Sequence, residues 1–302
     1  QRYEIILNSK EISKFFYGGN HSDIFTYILP MLKGTIRTAL ILISLGAIIQ
    51  ACDFRSPRLE MRKDWAQIQK EGKLTVLTEN STLSFFEFKG KRMGFEYEIL
   101  DTFCKANGLE LEVKVVNKIG DFVRLLRKGE GDLVAANLPI GLRQQKYFNF
   151  SLPYYQTYQV LVQRKSDSIV SEPAYLAGKI VYARKNSAYE KRLIALQDEI
   201  GATIDIRYQK SLPLAEDLIE EVANGRIQYT LAHENQARIA KDMHPNLDIA
   251  TRMSFEQRIA FALRPKSKEL KARLDAFLQT YIASEAFTQL KKRYFDYIAS
   301  TP

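Results

Sequence analysis

The stretch KLTVLTENSTLSFFEFKGKRMGFEYEILDTFCKANGLELEVKVV, residues 73–116, decides the fold. KLTVLTE reads as a strand, and LELEVKVV alternates strictly, the period-2 pattern of a second strand. Between them, GFEYEILDTFCKANG reads as a helix with apolar Ile99, Leu100 and Phe103, closed by Asn107-Gly108. Downstream, IGDFVRLLRKGEG reads as a helix with Asp121 near its start and Gly129 after its end. DLVAANL follows as a third, mostly buried strand. Strand, helix, strand, helix, strand within about 65 residues predicts an α/β lobe on a mainly parallel sheet.

Outward from this lobe the same grammar recurs. YQVLVQRK and AGKIVYARK read as strands and NSAYEKRLIALQDEIG as a helix. ATIDIRYQ reads as a strand, LAEDLIEEVANG as a helix and IQYTLAH as a strand. RIAFALRP adds one more strand before a long helical region, KELKARLDAFLQTYIASEAFTQLKKRYFDYIA. Two α/β units with a helical tail predict two lobes facing a cleft.

The composition, 26% charged and 46% hydrophobic over 302 residues, is that of an ordinary globular chain. A net charge of +9 suits an anionic partner such as a lipid surface or a cell-wall polymer. The basic residues are scattered and no nucleic-acid-binding motif is present, so nucleic acid is not expected as a partner. With only Cys52 and Cys104, a disulfide framework and a cysteine zinc site are both excluded. Cys104 lies on the apolar helix and reads as a buried, unreactive thiol.

Upstream, LISLGAIIQACDF (residues 42–54) ends an uncharged run from Thr38 to Cys52. A spanning helix wants roughly 20 apolar residues, so the run is short for that job. Met31, Lys33 and Arg37 supply a candidate start and basic region, and Ala39 to Ile49 the apolar core of a signal peptide. Ala51-Cys52 resembles a bacterial lipobox, with Gln50 an unusual residue for it, and the reading makes Cys52 the lipidated mature N-terminus. The expected division is therefore an upstream extension (1–30), a lipoprotein signal peptide (31–52) and a tether (53–71). Asp53 favours retention at the inner membrane, with the outer membrane left open.

Little in the chain recommends catalysis. His233 and His244 show no metal spacing, and neither a G-x-S-x-G elbow nor a Gly-rich phosphate loop occurs. No metal, no cofactor and no enzyme activity are expected. Arg143, in ANLPIGLRQQKYFNFSLPYY, follows a strand end, where ligands gather outside parallel sheets. Its guanidinium can grip a carboxylate with two parallel hydrogen bonds. Phe85, Phe86 and Phe88, with Tyr154 and Tyr155, either pack the lobes or wall a cleft.

These blocks resemble a known family. GKLTVLTENSTLSFFEFKGKRMGFEYEILDTFCKANGLELEV is similar to the start of the extracellular solute-binding proteins of family 3, the polar amino-acid type. In KGEGDLVAANLPIGLRQQKYFNFSLPYYQTYQVLVQRK the elements G-x-x-D-L, an arginine and F-S-x-P-Y-Y recur in that family's order. The likeness covers roughly residues 72–298. ENSTLSFF, GFEYEIL, NGRIQYTLAHEN and HPNLDIA most resemble the N-terminal binding module of the membrane-bound lytic murein transglycosylases F, in which a lysozyme-like domain follows.

The resemblance implies a type II periplasmic-binding-protein fold: two α/β lobes, two hinge crossings and a C-terminal helical region. It implies crossings near Gln159–Lys165 and Glu256–Pro265, with lobe 1 at 72–160 plus 256–302 and lobe 2 at 161–255. By the same likeness Arg143 holds a ligand carboxylate, helped by the Ser187 hydroxyl and its helix N-terminus. From the aromatic cluster rather than the likeness, Phe85 and Phe86 are expected to line the site. The usual threonine three residues before the arginine is Ile140, and the usual acid for a ligand ammonium is His233, with Glu234 beside it. The expected function is capture of a small carboxylate-bearing solute, an amino acid or a peptide-like or muropeptide-like molecule, by a lipid-anchored protein on the periplasmic side of the envelope. An ABC permease or peptidoglycan is the expected partner. The alternative is the regulatory module of a transglycosylase F-like protein.

Overall fold

The computed structural model describes residues 63–165, 168–209, 211 and 214–296, all within one compact unit, residues 60–302. The expected extension, signal peptide, lipidated Cys52 and residues 53–62 of the tether lie outside these residues. The end of the expected tether, Trp65–Glu71, is instead a helix, because Trp65 and Ile68 are buried in the first core. Among the described residues no helix is long and apolar enough to cross a membrane.

The first sheet is built as its sequence pattern requires. Strand β1 (Lys73–Thr78) lies between β4 (Glu110–Val115) and β5 (Leu133–Ala135), parallel to both, with Val76 opposite Val113 and Leu133. Helix α1 (Trp65–Glu71) precedes β1, α2 (Phe95–Ala106) joins β1 to β4, and α3 (Asp121–Lys128) joins β4 to β5. Successive strand residues face opposite sides. Leu74 and Val76 therefore meet Ile99, Leu100 and Phe103 of α2, while Leu77 and Val134 meet Phe122 and Leu126 of α3. Each such fully buried side chain contributes about 1.5–3 kcal/mol. Cys104 is buried in the first of these layers, and burial pushes its thiol up to about 12, so it stays protonated.

Between β1 and α2 sits a hairpin, β2 (Phe86–Phe88) and β3 (Lys91–Met93). Its two turn residues, Lys89 and Gly90, both have positive φ, the geometry that matches strand twist in a two-residue loop. Gly94 then starts α2 at φ 140, and a Cβ there would overlap the Ser84 carbonyl. No other residue fits.

β6 (Asn149–Phe150) leads to β7 (Tyr155–Thr157) and then β8 (Gln159–Arg164), which enters a second sheet. That sheet has the order β10–β9–β11–β8–β12, from β9 (Ile180–Tyr182), β10 (Asp205–Arg207), β11 (Thr230–His233) and β12 (Leu247–Asp248). β9, β10 and β11 run parallel, and β8 and β12 run against their neighbours. Alternation again serves two layers. Leu161 and Leu231 pack with Leu193 and Leu196 of α4 (Ala188–Ile200), whereas Val160, Val162 and Ala232 pack with Leu218 and Val222 of α5 (Ala215–Ala223). Helix α6 (Glu234–Met243) follows β11 without a break.

The chain returns through β13 (Gln257–Ile259), antiparallel to β7, and ends its sheet work in β14 (Ala262–Leu263), between β5 and β6 of the first sheet. The crossing is thus a short ladder of Tyr155–Thr157 against Gln257–Ile259. Gln159–Lys165, expected as a crossing, is instead largely strand β8, because Val160, Leu161 and Val162 bury both faces of the second sheet. Helices α7 (Lys268–Tyr281) and α8 (Glu285–Lys291) pack on the first core through Leu270, Leu274, Leu278 and Phe287.

Polar anchors hold this return. Arg264 is fully buried, donating to the carbonyls of Leu126, Gly131 and Lys63 and, at 3.2 Å, to Asp132. Asp132 also accepts from Thr75 N at 2.9 Å and from Lys63 Nζ at 3.1 Å. Asp64 caps α1 and accepts the amides of Glu269 and Leu270 at the start of α7 (3.0 and 2.9 Å). The architecture is two α/β lobes joined by a two-stranded hinge.

Candidate functional site

A cleft of about 630 Å³ opens between the lobes. The ends of four parallel strands supply its groups, as expected where a sheet's carboxyl edge faces outward. From the first lobe come Glu79 after β1, Asn137 after β5 and Arg143 in the loop beyond. From the second come Arg184 and Ser187 after β9 and His233 at the end of β11. Ile119, Phe122, Leu138 and Phe148 form an apolar wall.

Across the cleft Arg184 Nη2 lies 2.8 Å from Glu79 Oε2, with only 9% and 6% of the two side chains exposed. Arg143, Lys146 and Lys191 also line the cleft, are exposed, and have no ion pair among the described residues. The lining charge is therefore dominated by cations.

The Ser187 hydroxyl donates to Arg184 O at 2.6 Å and accepts from Glu190 N at 3.2 Å, so it caps α4. Its one proton is committed. The site keeps the α4 N-terminus, where Ala188 and Tyr189 line the cleft and the helix dipole favours an anion. His233 is 2% exposed, lies edge-on to Tyr189, and has no partner at Nδ1. Burial pushes its imidazole down to about 4, so it is neutral at physiological pH. Behind it, Tyr189 donates to Gln236 Oε1 at 2.9 Å and Gln236 Nε2 donates to Glu216 at 3.1 Å. Burial raises the Glu216 carboxyl to about 7, and the Glu79 charge adds to the rise.

A second network underlies the cleft floor. Asn137, at φ 51, gives its backbone N–H to both oxygens of Glu96 (3.0 and 2.9 Å), and the Tyr154 hydroxyl donates to the same carboxylate. The Tyr155 hydroxyl donates to Asn137 Oδ1. Burial pushes Glu96 up to about 7, against the pull of these donors.

Arg143, Ser187 and His233 are therefore brought together, and three other expected site residues are not. Phe85 packs edge-to-face on Tyr97, 5.4 Å between centroids, and Phe86 packs against the first core. Neither lines the cleft. Glu234 pairs with Arg238 at 2.7 Å and lines a separate cavity beside the hinge, with Tyr155 and Asn235. As the first residue of α6 it leaves the direction set by His233, so it is not poised to meet a ligand ammonium. Glu79, Arg184 and Asn137 were missed, although Glu79 carries a positional signal as the first residue beyond a central parallel strand.

The profile of the bacterial extracellular solute-binding proteins, family 3, matches residues 74–297. A membrane-bound lytic murein transglycosylase F of Desulfosudis oleivorans is 33% identical over 268 residues, 87% of this chain and 58% of that protein. The chain thus spans little more than half of that relative's length. Among solved structures, an amino acid ABC transporter substrate-binding protein of Streptococcus pneumoniae bound to L-arginine aligns with TM-score 0.68 at 23% identity, covering 78% of this chain and all of that one. An ancestral arginine-binding protein bound to arginine aligns with TM-score 0.66 at 21% identity, over 74% and 98% of the two chains.

Proposed function

This chain belongs to the bacterial extracellular solute-binding proteins, family 3, and on that premise we propose that it captures a small carboxylate-bearing solute between its lobes without chemically altering it. The observation that carries the reading is Arg143, without an ion pair among the described residues, lining a cation-rich cleft together with the N-terminus of α4. A carboxylate bridging the two touches both lobes, so its binding energy favours the closed arrangement over an open one. The ligand is an amino acid or a peptide-like or muropeptide-like molecule. The protein works on the periplasmic side of the envelope, held by lipid on Cys52, and hands its ligand to a permease or reports it to the cell-wall machinery.

Thermal denaturation against amino acids and cell-wall peptides tests this. A binding ligand raises Tm, and Arg143→Ala abolishes the rise. If the panel leaves the wild-type Tm unchanged, the reading is lost.

A second reading rests on the relatives named membrane-bound lytic murein transglycosylase F, matched over about half their length. In it, this chain is the regulatory binding module of such a protein. Purified murein incubated with the chain then keeps its turbidity, and loss of turbidity excludes a purely binding role.

A further inference from the structure

We infer that the cleft selects carboxylates whose amine is acylated or absent over zwitterionic amino acids, an inference that rests on the carboxylate-binding function proposed above. A zwitterion needs two receptors, one for its carboxylate and one for its ammonium. Burying an ammonium without an anionic partner is costly, because water's solvation is lost and nothing replaces it. The cleft is well supplied for the first requirement and not for the second.

Glu79 is the one carboxylate among the described residues lining the cleft, and Arg184 already holds it at 2.8 Å, with both side chains nearly buried. His233, at the end of β11, brings a neutral ring that offers a single hydrogen bond and no charge. Glu234 is engaged by Arg238 beside the hinge, and Glu216 lies behind Gln236. An ammonium entering the cleft would meet Arg143, Lys146 and Lys191 with no free counter-charge. An amide in its place carries no charge to neutralise, and its acyl group can lie on the wall of Ile119, Phe122 and Phe148. A further carboxylate on the ligand would find Lys146 or Lys191.

Isothermal titration of the whole chain with matched pairs tests the inference: N-acetyl-L-glutamate against L-glutamate, and N-acetyl-L-phenylalanine against L-phenylalanine. The acetylated member of at least one pair binds ten-fold or more tightly than its free partner. Equal binding, or tighter binding by the free amino acids, overturns this selectivity and leaves the carboxylate function standing. No binding by any of the four, or by a wider panel of carboxylates, removes both. A second arm uses Arg184→Met, which releases Glu79 into the cleft. Folded Arg184→Met, checked by circular dichroism, gains affinity for the free amino acid relative to its acetylated partner. An unchanged ratio in that folded variant overturns the assignment of Glu79 as the masked receptor.

Discussion

Asn235 Nδ2 donates to the Tyr155 hydroxyl oxygen across 2.8 Å, tying the first turn of α6 to the hinge ladder. The same hydroxyl donates to Asn137 Oδ1 on the cleft floor. One tyrosine therefore joins cleft, hinge and second lobe. Tyr155→Phe leaves an acceptor on Asn137 and a donor on Asn235 without their partner, a loss of roughly 1–3 kcal/mol per buried group. Urea denaturation reads the lower stability, and ligand titration reads weakened binding. Unchanged stability would show that the hydroxyl carries no net weight.

Asp132 makes a sharper case. It is the acid of the G-x-x-D-L block, and it neutralises the buried Arg264 that fixes the returning chain. Asp132→Asn keeps the shape and removes the charge. Stranding a buried guanidinium costs about 3–5 kcal/mol. The unfolding free energy from urea denaturation falls accordingly, and a loss below about 1 kcal/mol refutes the anchor.

Stability also depends on pH, with opposing signs at two sites. Glu96 sits at about 7 when folded against an ordinary 4.5, so between those values the folded state holds the extra proton and stability falls as pH rises. The full effect is roughly 3 kcal/mol. Glu216 acts in the same direction. His233, depressed from 6.5 to about 4, adds stability that is present above 6.5 and lost as pH falls through 4. Urea titrations from pH 4 to 8 should find the alkaline decline reduced in Glu96→Gln and the acid decline reduced in His233→Asn.

Gly94 is the least replaceable glycine in the site's framework. Gly94→Ala combines an unfavourable φ of 140 with overlap on the Ser84 carbonyl. Backbone strain of this kind costs on the order of 1–3 kcal/mol before the clash is counted. A Tm within two degrees of wild type, read by calorimetry, contradicts it.

The lobes were legible because their strands and helices carry different periods. LELEVKVV and the α2 segment each announce one buried stripe, KLTVLTE is a central strand buried on both faces, and family blocks order them. The hinge was less legible: it rests on three residues per strand, too few for a period, and the family likeness placed one crossing at Gln159–Lys165, a segment whose own apolar run reads as strand β8. Helix α6 was missed because His233 is no ordinary cap and the helix follows β11 without a turn. That Arg143 lies on the cleft was readable from its strand-end position. The Glu79–Arg184 pair was not, since it joins residues far apart in sequence whose meeting depends on both lobes at once. Phe85 and Phe86 misled because an aromatic cluster reads alike whether it walls a cleft or packs a core.

The Asp64 and Arg264 anchors carry a consequence for the birth of the chain. Lobe 1 is stitched from both ends: Asp132 must find Arg264 132 residues later, and Asp64 must find the amides that open α7. Lobe 2 is one uninterrupted segment, from β8 through β12. Domains form as units while a chain emerges, and distant pairings wait for their partner to arrive. The second lobe can therefore close its sheet while the first still lacks its last strand, so the lobe that begins first in the sequence is the one completed last.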